Sequence, residues 1–278
     1  MFLPSEYCLL DFGAGRKLER FGKLILDRPC PAATLRKSDL AAWSNADAVF
    51  EEDLKLKQTA LGHRGIWHAL TPAGHEYFCD SSESPAKAAW SIHHENPSFA
   101  LSLKGSPFGH IGIFPEQSGN WDDLYQWCQR FATQTGRPAQ VLNLFAYTGG
   151  STLAAAAGGA QVFHVDAARN IVQQARDNGT MSFGASCEIH WIAEDAVKYV
   201  SRCAKRGTKF DAIVLDPPTY GHGAKGEVWR FARNMPGLLA GCFATLEKES
   251  SLILLSCHVP QCTCQDLANL LEQACRDS

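Results

Sequence analysis

Apolar and polar positions follow two regimes along the chain. From residue 141 onward, short and nearly continuous apolar runs recur at 141–145, 161–165, 187–192, 210–215 and 251–255. Such runs are too short for typical helices and match strands buried on both faces. Helix-forming stretches separate them at 151–157, 168–178, 196–205 and 228–246, and 266–274 follows the last run. Upstream, residues 120–133 put Trp121, Leu124, Tyr125, Trp127, Cys128 and Phe131 on one broad apolar face, as an amphipathic helix does. Alternating strands and helices predict an α/β fold built on a parallel, Rossmann-like sheet.

The first regime is richer in turns. Residues 7–12 and 18–26 are strand candidates separated by Gly13, Ala14 and Gly15. Residues 65–70 and 75–79 flank Thr71-Pro72-Ala73-Gly74 and predict a hairpin. Residues 98–104 and 110–114 flank a second glycine-bearing turn, and the polar stretch 81–97 reads as loop. The expected organisation is a small β-rich domain over 1–112 and the α/β domain over 113–278.

The chemistry lies in the turns of the second regime. After the run 141–145, Thr148, Gly149 and Gly150 break the chain where backbone can approach a ligand closely. Asp166 ends the next run, at the interval where an acid bonds a ribose diol, about 20 residues on. A dinucleotide dehydrogenase and an S-adenosylmethionine (SAM) methyltransferase both fit. The turn lacks the G-x-G-x-x-G spacing that brings backbone against a pyrophosphate, and SAM has no phosphate. The run 210–215 ends in Asp216-Pro217-Pro218-Thr219-Tyr220, a stiff loop at the edge where open α/β sheets bind ligands. An acid, two prolines and an aromatic in this place resemble the fourth motif of class I methyltransferases acting on nucleic-acid bases. Asp195, before Ala196, either meets an adenine amino group or caps the helix that follows.

Composition adds limits. With 45% apolar residues in 278, a sizeable core is available, and no apolar run is long enough to span a bilayer. Met1-Phe2-Leu3-Pro4 has no signal-peptide pattern, so a soluble, cytoplasmic protein is expected. The 11 cysteines are scattered, and neither they nor the histidines show metal-ligand spacing. The net charge of −3 does not advertise nucleic-acid binding. Residues 13–37, however, hold seven basic residues against two acidic, a window able to meet phosphates or to form a solvated face.

The segments Gly13 to Gly22 (GAGRKLERFG), Phe114 to Gln117 (FPEQ), Phe145 to Gly150 (FAYTGG) and Leu215 to Trp229 (LDPPTYGHGAKGEVW) together resemble the bacterial class I SAM-dependent ribosomal RNA methyltransferases. These are the relatives of the large-subunit RNA cytosine-5 and guanine-7 methyltransferases, and the resemblance covers nearly the whole chain. It implies a Rossmann-like methyl-transfer domain after a small β domain, SAM as cofactor and a base of RNA, ribosomal RNA foremost, as acceptor. Phe145, Tyr147, Thr148, Gly149 and Gly150 would line the methionine side of the cofactor. Asp166 would hold the ribose, Asp195 and Ala196 the adenine, and Gln117 would close over it. Asp216, Pro217, Pro218 and Tyr220 would face the acceptor base, with Lys225 on a phosphate. Cys257 falls where the cytosine-5 relatives carry a nucleophilic cysteine in a Ser-Cys-Ser motif, but His258 replaces the second serine. The final β-hairpin usual in class I enzymes has no counterpart, so a five-stranded sheet with an exposed edge is expected. A small-molecule or protein acceptor, or an impaired homologue that binds SAM and RNA without transfer, are the alternative readings.

Overall fold

The computed structural model describes residues 2–53, 55, 63–78, 90–184, 186, 188–222, 228–259 and 262–276. It divides into two compact units, Met1–Ser118 and Gly119–Ser278. Among the described residues no helix is long and apolar enough to cross a membrane.

The first unit holds a sheet in the order β1 (Tyr7–Gly13), β2 (Arg16–Phe21), β3 (Leu24–Pro29), β4 (Ala48–Glu52) and β5 (Gly65–Ala69). Only β3 and β4 pair in parallel, across a connection that carries the short helix α1 (Leu40–Trp43). Residues 18–26, expected as one strand, are a hairpin, because Gly22 at φ +59° reverses the chain. The hairpin expected around Thr71–Gly74 is also corrected: α2 (Pro72–Phe78) follows β5. Pro72 sits at the start of that helix, where its missing N–H costs nothing. The Thr71 hydroxyl accepts from the Gly74 N–H at 3.2 Å while donating to Asp47 Oδ1 at 2.6 Å. Cys79, the end of that expected arm, lies outside the described residues.

A separate ribbon pairs β6 (Ser91–His94) with β7 (Phe99–Ser102), so part of the stretch expected as loop is strand. Residues 81–89 of that stretch lie outside the described residues. The expected partner of β7, residues 110–114, forms no strand and is tied by isolated bonds such as Lys104 N–H to the Ile111 carbonyl, 2.9 Å.

The basic window is largely spent on this unit's own structure. Arg28 and Glu19 form a buried ion pair at 2.6 Å, with Lys17 on the same carboxylate at 3.1 Å. Arg16 pairs with Asp27 at 2.5 Å, Lys23 with Glu76 at 3.1 Å, and Lys37 stands 3.3 Å over the Trp43 ring.

In the second unit α3 (Ser118–Thr135) leads into a sheet of five parallel strands, ordered β10-β9-β8-β11-β14. These are β8 (Gln140–Leu144), β9 (Gln161–Asp166), β10 (Ile189–Ala193), β11 (Ala212–Leu215) and β14 (Leu252–Leu255). The helices α4 (Gly150–Ala157), α5 (Arg169–Phe183), α6 (Ala196–Arg206), α7 (Phe231–Thr245) and α8 (Cys264–Arg276) connect or follow them. Two apolar clusters cover the sheet. In one, Leu124, Cys128 and Phe131 of α3 pack with Val141, Val162, Val214 and with Ala155 and Ala156 of α4. In the other, α6, α7 and α8 pack on Leu142, Leu144, Ile213 and Leu215.

One expected helix is shortened. Residues 228–230, read as its start, form β13 (Val228–Arg230), paired antiparallel with β12 (Tyr220–His222). Among the described residues, β14 pairs only with β11. The strand order reverses between β8 and β11, and a crevice opens outside the carboxyl ends of strands at such a switch point.

Candidate functional site

The turn after β8 is the most constrained backbone in the second unit. Phe145 and Tyr147 take left-handed angles, φ +56° and +49°, and Gly149 follows at +100°. Each left-handed non-glycine residue costs on the order of 1–3 kcal/mol and persists only where its surroundings over-determine it. Here the bracing is visible. The Asp166 carboxylate accepts the Tyr147 N–H through Oδ2 at 3.0 Å and the Ala168 N–H through Oδ1 at 2.9 Å. Asn178 donates to the Thr148 carbonyl at 2.9 Å. Gly150 opens α4 against the buried Trp121, where an added Cβ would stand 2.4 Å from the indole.

Beneath the turn lies a buried polar chain that the sequence did not announce. Asn143 donates to the Thr152 hydroxyl at 2.9 Å, and that oxygen lies 2.9 Å from His164 Nδ1. Nε2 of His164 has no hydrogen-bond partner among the described residues, and burial holds the imidazole down at about 3. The ring is therefore neutral and supports the turn from below.

Asp166 sits at the carboxyl end of β9, and burial pushes its carboxyl above the usual range against the pull of its two backbone donors. Each oxygen accepts one backbone N–H and keeps lone-pair capacity for a further donor. Such a carboxylate can hold a vicinal diol. Asp195 closes β10, where its Oδ1 caps α6 by accepting the Lys198 N–H at 3.0 Å, and Ala196 begins the helix. The capping role weighed from the sequence is thus realised, and Oδ2 takes no part in it. Gln117 lies in a one-turn 3-10 helix, Pro115–Gln117, of the first unit.

On the other side of the switch point, β11 delivers Asp216, Pro217, Pro218, Thr219 and Tyr220. Asp216 Oδ1 accepts the Ser256 hydroxyl at 2.6 Å and lies 3.2 Å from His258 Nε2. The Thr219 hydroxyl donates to the His258 carbonyl at 3.4 Å. The loops after β11 and β14 are therefore stitched together. Cys257, between the two residues that reach Asp216, packs against the α6–α7 cluster, and its Sγ accepts the Val259 N–H at 3.3 Å. Tyr220 carries Arg230 6.0 Å from its ring centre. Lys225 lies outside the described residues. Among the described residues no group of three or more His, Cys, Asp or Glu side chains is arranged for a metal ion.

The residues quoted for the turn, Asp166, Asp195 and the Asp-Pro-Pro loop therefore share one edge of one sheet. Sequence reading missed Ser256, Trp229 and the Asn143–Thr152–His164 chain. Trp229 had a signal as the last residue of a quoted motif, and Ser256 as the first serine of the Ser-Cys-Ser comparison around Cys257.

Known proteins resemble this chain in sequence and in fold. A family model described as S-adenosylmethionine-dependent methyltransferase matches residues 90–250. Ribosomal RNA large subunit methyltransferase I of Tolumonas auensis is 32% identical over 170 residues, covering 57% of this chain and 37% of the relative. The matched part is thus little more than a third of that relative's length. A SAM-dependent methyltransferase of Agrobacterium tumefaciens superposes with a TM-score of 0.81 at 30% identity, over 97% of this chain and 78% of its own. A SAM-dependent methyltransferase from Streptococcus mutans, 17% identical with a TM-score of 0.68 over 97% of this chain and 65% of its own, shares the fold. The family match takes in more than half of the sequence, and the chain belongs to the S-adenosylmethionine-dependent methyltransferases.

Proposed function

We propose that the second unit holds SAM along the carboxyl ends of β8, β9 and β10 and transfers its methyl group to a base of RNA, ribosomal RNA foremost. One observation carries this reading: the braced left-handed turn with Asp166 and the Asp216–Tyr220 loop flank the same switch point. The ribosomal RNA methyltransferase named among the relatives supports the choice of acceptor.

SAM supplies an electrophilic methyl on a sulfonium, released with the bonding electron pair left on sulfur. The chain's residues bind and align. Asp166 accepts the ribose hydroxyls on the lone pairs left by Tyr147 and Ala168. Phe145, Tyr147, Thr148, Gly149 and Gly150 line the methionine side, and Asp195 with Ala196 the adenine side. Asp216, held by Ser256 and His258, and the Pro217 carbonyl orient the edge of the base. Tyr220 stacks on its face, as aromatic side chains do with unstacked bases. Fixing nucleophile and methyl in line, in a pocket poor in water, is how such a site lowers the barrier.

The test is transfer of labelled methyl from SAM to ribosomal RNA, followed by mass spectrometry of its nucleosides. A methylated nucleoside that appears only with the protein is the expected result. Binding of NAD without SAM, or methyl transfer to protein or small molecules but not to RNA, would overturn the reading.

A further inference from the structure

Trp229 stands in β13 opposite Gly221 of β12. Its indole N–H donates to the Pro218 carbonyl at 2.7 Å. Its ring meets Phe145 with centroids 5.0 Å apart and planes at 57°. One side chain thus touches the loop after β11 and the left-handed turn after β8.

The two contacts do different things. Pro217 and Pro218 have φ locked by their rings, but a proline ring leaves ψ free. The Pro218 carbonyl turns with that ψ, so the indole bond restrains the torsion through which the stiff diproline hands the chain on to Thr219 and Tyr220. The indole is half-buried, and its N–H prefers a partner, so breaking the bond carries a cost. Phe145, at φ +56°, holds its conformation only while its surroundings enforce it, and the Trp229 ring is part of those surroundings.

We propose that Trp229 is a positioning residue for methyl transfer, bolting the acceptor loop to the cofactor turn through the Pro218 carbonyl and the Phe145 ring. It touches neither reactant and sets the distance between them. The inference rests on the reading of 145–150 as cofactor turn and 216–220 as acceptor loop.

Trp229→Phe removes the N–H and keeps an aromatic ring against Phe145, whereas Trp229→Ala removes both. Calorimetry with SAM, thermal unfolding, and kcat and KM for methyl transfer to ribosomal RNA are compared across the three proteins. Trp229→Phe is expected to bind SAM within about twofold of wild type while kcat falls about 10- to 100-fold, the scale of a small misalignment. Trp229→Ala is expected to lose SAM affinity as well. An unchanged kcat in folded Trp229→Phe overturns the inference. So does a parallel loss of SAM affinity and kcat in Trp229→Phe, which would make the residue mere packing for the turn. Wild-type protein that binds no SAM, or binds it and methylates no RNA, refutes the proposed function itself and this inference with it.

Discussion

Asp166→Ala is the sharpest perturbation of the cofactor edge. The side chain holds two backbone N–H groups, at 3.0 and 2.9 Å, and is the acceptor proposed for the ribose. A hydrogen bond to a charged group contributes roughly 1.5–3 kcal/mol. Its loss should therefore weaken SAM binding about 10- to 150-fold. Fold stability should move less, because two effects oppose. Alanine strands the Tyr147 and Ala168 N–H groups, but it also removes a carboxylate whose ionisation burial disfavours. The sign follows for pH. With the folded carboxyl raised above the ordinary 3.8, Asp166 lowers stability as pH rises from 3.8 to the raised value, and no further above it. SAM affinity runs the other way, because the ionised form is the better acceptor: it should decline as pH falls through that raised value in wild type only. Isothermal titration with SAM between pH 7 and 4, beside thermal unfolding, measures both. An affinity within twofold of wild type in a folded Asp166→Ala protein would remove the residue from the site.

Three further outcomes are expected. Gly150→Ala drives a Cβ to 2.4 Å from the buried Trp121, so it should cost about 1–3 kcal/mol in thermal unfolding, and Trp121→Phe in the same chain should recover part of the loss. Asp211→Ala deletes the carboxylate that receives Arg137 twice at 2.7 Å and the Gln140 N–H at 2.8 Å, which predicts a loss of roughly 1.5–3 kcal/mol in urea unfolding. Its SAM affinity should be unchanged, because Asp211 precedes β11, at the opposite edge of the sheet. Burial keeps His164 neutral down to about 3, while the unfolded chain takes up that proton near 6.5. Stability should therefore fall as pH drops below 6.5, by up to about 1.4 kcal/mol per pH unit from this residue. His164→Phe should flatten the dependence between pH 6.5 and 5, and equal slopes in both proteins would contradict the buried neutral ring.

The parts of the fold legible in the sequence are those fixed by local pattern. Runs such as 141–145 and 210–215 are nearly all apolar and do not alternate, as expected of strands covered on both faces. The glycine turn, Asp166 and the Asp-Pro-Pro loop were readable because each sits at the end of such a run. What failed needed a partner distant in sequence. β13 was taken into α7 because three residues ahead of an apolar helix carry no period of their own, and pairing with β12 makes them a strand. In α2, Pro72 and Gly74 suggested a turn, and tertiary bonds that Asp47 accepts from Thr71 and Leu70 settled a helix start. The basic window looked available because its acids are few. The sheet register then put Lys17 opposite Arg28 and Arg20 opposite Ile25, and Glu19 gathers the two cations of the first pair. Ser256 lies 40 residues from Asp216, so their bond exists only because β14 pairs beside β11.

That same bond bears on which atom of a base is methylated. Carbon-5 of a pyrimidine is a poor nucleophile, and a cysteine thiolate must first add to the ring to make it reactive. Cys257 has the right place in the chain for that role. Its neighbours on both sides, Ser256 and His258, turn their side chains to Asp216 Oδ1. Cys257 instead packs against the α6–α7 cluster, and its Sγ accepts the Val259 N–H at 3.3 Å. The expected outcome is that Cys257→Ala retains methyl transfer, with the acceptor a ring nitrogen or amino group that attacks without an adduct. Single-turnover transfer by wild type and Cys257→Ala, with denaturing electrophoresis for a protein–RNA adduct, decides the matter. Loss of transfer in a variant that still binds SAM, or an adduct seen only with wild type, would turn the argument over and make cytosine carbon-5 the acceptor.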